Sequence, residues 1–412
     1  MREVIRRLPG SRIREVANAG LGRDDVLAFW FGESDEVTAA PVRQAAAESL
    51  ARGETFYAHN LGLAELRAAI ARYTAALHPA VGVDRIAVTS SGVSALMLAT
   101  QMLVGAGDEV VAVVPVWPNL TAQPAILGAA VKRVPLVVQA GAWALDLDRL
   151  LAALTPSTRM LLVNAPNNPT GWTLTRAEQQ AILDRCRKTG TWIVADEVYE
   201  RLWFGEGARG DEPPLAARTP PWGARAEGEL GAPSCAPSFL DLAAADDRLV
   251  VVHSFSKSFL MTGWRLGWMV VPTGHLDAIG KLIEFNTSCA PVFVQRAGLA
   301  ALATADASVP ALVQHLRGCR DRLVDGLQSL SGVQVARPRG GMYAFFRVAG
   351  ASDDSLAFAK RLVTDHGLGI APGVAFGDEA EGWLRWCFAS HDPSRLDAGL
   401  ARLETAIGSL RL

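Results

Sequence analysis

The 412-residue chain predicts an α/β fold: a mostly parallel central sheet flanked by helices, followed by a smaller α+β part. Three observations carry this. Short apolar runs alternate with helix-periodic segments through the middle of the chain, the pattern of strands buried on both sheet faces. The length exceeds what one hydrophobic core usually serves, so two domains are predicted. Finally, a long helix with a regular apolar stripe over 308–330 precedes strand-like 333–336 and 344–348 and a helix near 355–365.

Taken in order, 85–90 reads as a strand and 93–104 as an apolar helix. Residues 108–114 are a strand announced by the turn Gly105-Ala106-Gly107. Residues 158–164 and 191–195 are apolar runs with polar ends, and 176–189 between them has helical periodicity. The runs 249–252 and 266–271 complete the strand set. Between Phe204 and Ser238, six prolines and six glycines predict a long surface loop. Ligands of such sheets gather at the carboxyl ends of strands. Ser90-Ser91-Gly92, Asn167-Asn168, Asp196-Glu197 and the segment 254–257 all fall there.

Half the residues are apolar and 20% are charged, as in a soluble globular enzyme. A net charge of −2 offers no field for nucleic acid or an anionic membrane. No apolar run approaches the roughly 18 residues of a membrane span. Arg2, Arg6 and Arg7 precede no apolar core of a secretory signal, and Glu3 and Glu15 argue against a transit peptide, so a cytoplasmic protein is predicted. Five widely spaced cysteines without a Cys-x-x-Cys pair point to a reducing compartment and away from zinc. The seven histidines show no ligand spacing. Gly92-Val93-Ser94-Ala95-Leu96 lacks the second glycine of a nucleophile elbow. Gly274 to Lys281 has one residue too many for a P-loop.

What remains is mutually supportive. Lys257 stands in Ser254-Phe255-Ser256-Lys257-Ser258-Phe259-Leu260-Met261-Thr262-Gly263, between apolar flanks where a charge is costly unless paired, neutral or covalently used. Ser91-Gly92 at a helix start offers amides to an anion, and Ser254, Ser256 and Arg265 add hydroxyls and a fixed charge. Asp196 ends a buried strand, and Trp117 offers a flat ring. A phosphate site, a lysine, a carboxylate and an indole describe a pocket for pyridoxal 5′-phosphate, with the lysine holding the aldehyde as an imine.

From Ile13-Arg14-Glu15-Val16 to the C-terminal helix, the chain resembles a fold-type I, class I/II aminotransferase of the aspartate aminotransferase superfamily. Asn167-Asn168-Pro169-Thr170-Gly171 is similar to the family's Asn-Pro-Thr-Gly word, and Asp196-Glu197-Val198-Tyr199 to its Asp-x-x-Tyr. The segment 254–257 with Gly263-Trp264-Arg265-Leu266-Gly267 resembles its lysine segment. The resemblance implies a ping-pong aminotransferase that moves an amino group from an L-amino acid to a 2-oxo acid through a Lys257 aldimine. Lys257 would be its base and acid, Asp196 would hold the pyridinium, and Asn168 and Tyr199 would bond the phenolic oxygen. Trp117 would stack on the ring. Ser91, Gly92, Val93, Ser254, Ser256 and Arg265 would hold the phosphate, reached by Tyr57 from the other half of a homodimer. Val93 departs from the hydroxyl or lysine of many relatives, so only its amide would serve, with Ser94 as a substitute. Arg385 would clamp the substrate carboxylate, helped by Asn168, Trp117 and Gly32. The resemblance also implies a large PLP-binding domain over 46–307 and a small domain from 1–45 and 308–412. The same scaffold also hosts C–S β-lyases, decarboxylases, cyclising synthases and non-catalytic sensor domains.

Overall fold

The computed structural model describes residues 1–205, 235–351 and 354–410. The central sheet is built from β1 (Ile86–Thr89), β2 (Glu109–Val114), β3 (Ala130–Pro135), β4 (Thr158–Asn164), β5 (Trp192–Asp196), β6 (Leu249–Ser254) and β7 (Gly267–Val270). Their spatial order is β1-β7-β6-β5-β4-β2-β3. All pairings are parallel except those of β7, which runs antiparallel to both β1 and β6. The predicted fold class therefore holds, with one reversed strand. Every residue of β5 and β6 is buried, as valine-rich strands covered on both faces must be.

The helices that cover this sheet begin where the chain supplies caps. Helix α1 (Gly92–Leu103) starts at Ser91, whose side chain accepts the Ser94 amide. Helix α2 (Arg176–Thr189) has a complete capping box between Thr175 and Glu178 and ends at the left-handed Gly190. Helix α3 (Val292–Ala303) packs against the helix Ala40–Ala51. The predicted long helix, α4 (Ala305–Ser329), begins three residues before 308. Pro310 lies inside this helix, five residues after its start.

A second, antiparallel sheet comprises β8 (Val333–Val335), β9 (Tyr343–Val348), β10 (Ala371–Pro372) and β11 (Trp383–Cys387), in the order β8-β9-β11-β10. It is covered by α4, α5 (Ser355–His366) and α6 (Ser394–Ser409). Its core draws in the N-terminal Ile13, Val16 and Phe29 beside Leu323, Phe345 and Trp386. Among the described residues no single helix is long and apolar enough to cross a membrane, and the five cysteines are free. Most of the Gly/Pro-rich segment read as a loop (206–234) lies outside the described residues.

Behind the sheet lies a buried ionic network. His78 places Nδ1 3.0 Å from Asp241 and Nε2 3.2 Å from Glu200. His253 Nδ1 is 3.6 Å from Glu200. Glu197 accepts from the Ser238 hydroxyl at 2.5 Å and the Phe239 amide at 3.1 Å. Burial alone would push His78 down, but its hydrogen bonds to Asp241 and Glu200 outweigh it and raise the imidazole to about 10. Removing one member of a buried pair strands the other charge, so His78→Ala should cost about 3–5 kcal/mol. A group raised above its unfolded pKa of about 6.5 stabilises fully below that pH and loses its effect as the pH climbs towards 10. The destabilisation should accordingly be largest below pH 6.5 and shrink towards pH 10 in urea unfolding curves.

Candidate active site

The carboxyl ends of β5 and β6 bring the predicted residues together. Asp196 closes β5 at 3% exposure and accepts one long hydrogen bond, 3.4 Å from the Val198 amide. Burial pushes its carboxyl up to about 7, opposed by that amide and by Lys257. Lys257 lies in the turn after β6, and its Nζ donates to the Gly32 carbonyl at 2.6 Å. The same Nζ stands 5.5 Å from the centre of the Tyr199 ring. Burial lowers the amine to about 8, and the Arg385 charge adds to the effect, while Cys387, Glu33 and Asp196 oppose it.

Arg385, in the middle of β11, is 2% exposed. It donates to the Asn168 Oδ1 at 3.1 Å and to the Trp30 carbonyl. Its guanidinium lies 4.5 Å above the Tyr343 ring and 4.9 Å from that of Phe376. No carboxylate pairs with it among the described residues, and its Nε has no partner. A buried cation without a counter-ion is expensive unless a ligand supplies the anion. Asn168, its Oδ1 taken by Arg385, keeps its NH2 group for another acceptor. The Trp117 amide donates to the Asn168 carbonyl at 2.9 Å, which ties the loop bearing the indole to that turn.

The predicted anion site assembles at the start of α1. A Cβ on Gly92 would lie 3.3 Å from Ser254 and 3.4 Å from Val198. One on Gly267 would lie 2.6 Å from the Gly92 nitrogen, so only a glycine in β7 lets the helix start sit this close to the sheet. Ser254 donates to Ser256 at 2.9 Å, and Val93 occupies the first helical turn. Arg265 holds the left-handed φ of +55° and donates to the Thr262 carbonyl at 2.6 Å. With Ser90 and Thr287 it lines a cleft of about 830 Å³. A non-glycine residue there is strained, and such strain persists where the surroundings over-determine it. Tyr57 stands apart: it is 91% exposed and joins no group of its own chain's site.

These groups fit pyridoxal 5′-phosphate. A buried carboxylate with a single weak donor suits a protonated ring nitrogen, and the helix start with its hydroxyls suits the phosphate. Two tryptophans near the site, Trp268 and Trp30, are packed into the core. Trp268 is 2% exposed and stacks on His253, and Trp30 abuts Gly20 and Gly369. One residue was not anticipated. Tyr343, fully buried at the start of β9, has its hydroxyl 2.7 Å from that of Tyr199. Only Gly340-Gly341 before an apolar run marked the place, and an apolar run reads as core.

The chain is similar to an arginine–pyruvate transaminase of Pseudomonas aeruginosa, 31% identical over 366 residues, 88% of this chain and 85% of that protein. An aspartate aminotransferase of Pyrococcus horikoshii is 28% identical over 400 residues, 96% and 94% of the two chains. The solved aspartate aminotransferase of Thermotoga maritima superposes with a TM-score of 0.83 at 29% identity, covering 98% of this chain and 99% of its own. Residues 27–403 match the model of aminotransferases of class I and II, and the chain belongs to that family.

Proposed function

We propose that this transaminase takes the amino group of an L-amino acid and passes it to a 2-oxo acid in a ping-pong cycle. The observation that carries the reading is the pairing of Lys257 and Arg385 on one segment. Lys257 holds the Gly32 carbonyl and Arg385 that of Trp30, two residues away. A substrate carboxylate on Arg385 thereby brings its Cα towards an amine whose pKa lies near neutrality, where general bases work best.

Pyridoxal 5′-phosphate, when bound, supplies an electrophilic aldehyde and a ring that accepts the electron pair left at Cα. Asp196 holds the ring nitrogen, and Tyr199 and the Asn168 amide hold the ring oxygen. Trp117 covers a ring face. Ser91, Gly92, Val93, Ser254, Ser256 and Arg265 take the phosphate. Arg385, with Asn168, Trp117 and Gly32, orients the substrate, and Lys257 takes the Cα proton and returns it. Tyr57 of the partner subunit adds a hydroxyl to the phosphate in a homodimer. The exposed Phe56, Tyr57 and Phe285 support such an interface, since aromatic side chains exposed to more than 80% are the material of one. The names of the arginine–pyruvate and aspartate relatives support a donor of one of these classes, with pyruvate or another 2-oxo acid as acceptor. The cytoplasm is the matching compartment. The chain divides near residues 46 and 307, with the helix Ala40–Ala51 joining the large part through α3 and α4 leading into the small one.

A panel of amino donors followed by cofactor absorbance tests the reading. Turnover should require an oxo acid acceptor, and release of pyruvate from a cysteine-type donor without one would replace it by β-elimination. Lys257→Ala should lower turnover by on the order of 10⁴ or more with unchanged far-UV circular dichroism. In cofactor-free protein, an amine-reactive reagent attacks only neutral Lys257. Its labelling, read by peptide mass spectrometry, should rise with pH through a midpoint near 8 and level off about one unit above it. Sedimentation should show a dimer. Tyr57→Phe should release cofactor about tenfold more readily, and a mixed dimer with Lys257→Ala should recover one competent site.

A further inference from the structure

We propose that Tyr343 is a positioning residue: it donates its hydroxyl proton to Tyr199 and so turns the Tyr199 proton outward, onto the ligand's ring oxygen. The inference rests on the reading of Tyr199 as the donor to that oxygen. Three contacts fix Tyr343. Its hydroxyl is 2.7 Å from that of Tyr199, with the rings crossed at 77°. Its ring lies under the Arg385 guanidinium, 4.5 Å away. A Cβ on Gly32 would come within 2.1 Å of its oxygen, so this hydroxyl is packed against the Cα of the residue whose carbonyl holds Lys257.

Each phenol has one proton, and at 2.7 Å one must donate to the other. Among the described residues neither hydroxyl has any other hydrogen-bond partner. The charges decide the direction. A cation over a ring makes its phenol the better donor, and Arg385 lies over Tyr343. Burial pushes both phenols up; on Tyr199 the Asp196 charge adds more than the weaker pull of Arg385 takes away, which makes it the weaker acid. The remaining charged or titratable groups facing the pair are Lys257 after β6, Cys387 on β11 and Glu33 beside Gly32. Donation from Tyr343 also polarises the Tyr199 O–H, so that its own bond to the ligand strengthens. A donor on the ring oxygen competes with that oxygen's hold on the neighbouring imine proton, which lowers the pH at which the bound cofactor changes absorbance.

The test is the pH midpoint of that absorbance change in the holoenzyme without substrate. Tyr343→Phe should raise it by about 0.5–1 unit, the scale of one net hydrogen bond. Tyr199→Phe should raise it further, and the double variant should match Tyr199→Phe alone. Replacing Tyr343 by 3-fluorotyrosine, a stronger acid of nearly the same shape, should lower the midpoint below that of the native protein. With substrate, Tyr343→Phe should reduce kcat several-fold and leave KM within about twofold. An unmoved midpoint with a KM raised tenfold or more would show that Tyr343 only supports Arg385, and would overturn the proposal. A midpoint that moves in Tyr199→Phe but in neither Tyr343 variant overturns it as well, leaving the role of Tyr199 intact. If Tyr199→Phe also leaves the midpoint in place, the reading of Tyr199 falls and the proposal with it.

Discussion

The site depends on one short stretch of backbone, Trp30 to Gly32, held between two cations. Lys257 reaches it from the central sheet and Arg385 from the antiparallel sheet. Among the described residues neither cation has a carboxylate partner, so backbone carbonyls carry hydrogen bonds that a counter-ion would otherwise take. A carbonyl satisfies a donor without neutralising it. Both groups therefore keep a net field that a substrate carboxylate, or a leaving proton, can feel. The rest of the fold serves to keep this segment in place: Phe29 donates its amide to Gly369 and accepts from Cys387, which stitches the N-terminal chain into the C-terminal core.

Close approach is the second constraint, and it is met by glycines at particular positions. Gly32 has no room for a side chain beneath Tyr343, and Gly267 none beneath the start of α1. The reversed β7 matters here. Running antiparallel to β6, it sets Gly267 opposite Ser254, so the strand's first residue backs the start of α1 and not the far end of the sheet. The backbone of Leu260 and Arg265 is left-handed on either side of Gly263, and the turn they form is what sends Arg265 towards the cleft.

Much of this was legible in the sequence because the informative residues are polar words after apolar runs. The strand Thr158–Asn164 and the helix Arg176–Thr189 fall where the periodicity put them, since alternation and capping are local signals. Lys257 and Asp196 were found through their chemistry and Arg385 and the role of Asn168 through the family resemblance, and the structure brings them together. What escaped is non-local. The direction of β7 depends on a connection whose geometry no single segment encodes. Tyr343 sits in Tyr-Ala-Phe-Phe, where an aromatic reads as core, and only its partner 144 residues earlier gives the hydroxyl a use. Tyr57 is the opposite case: the family resemblance gave it a role, but a single chain leaves it in solvent.

Asp196 shows why the apolar strand before it is part of the chemistry. In water a carboxylate binds a ring nitrogen weakly, and the solvent answers most of the charge. At the end of five buried residues the same group is so poorly solvated that its proton is held to about pH 7. The desolvation that makes the bare carboxylate reluctant to ionise would also make it hold the proposed protonated ring nitrogen strongly, because little water competes. Lys257 meets the same low dielectric with the opposite sign, and its proton becomes easier to lose. One apolar environment thus raises an acid and lowers a base until both titrate near neutral pH, and in the proposed cycle this lets Lys257 move the Cα proton while Asp196 stays on the ring nitrogen.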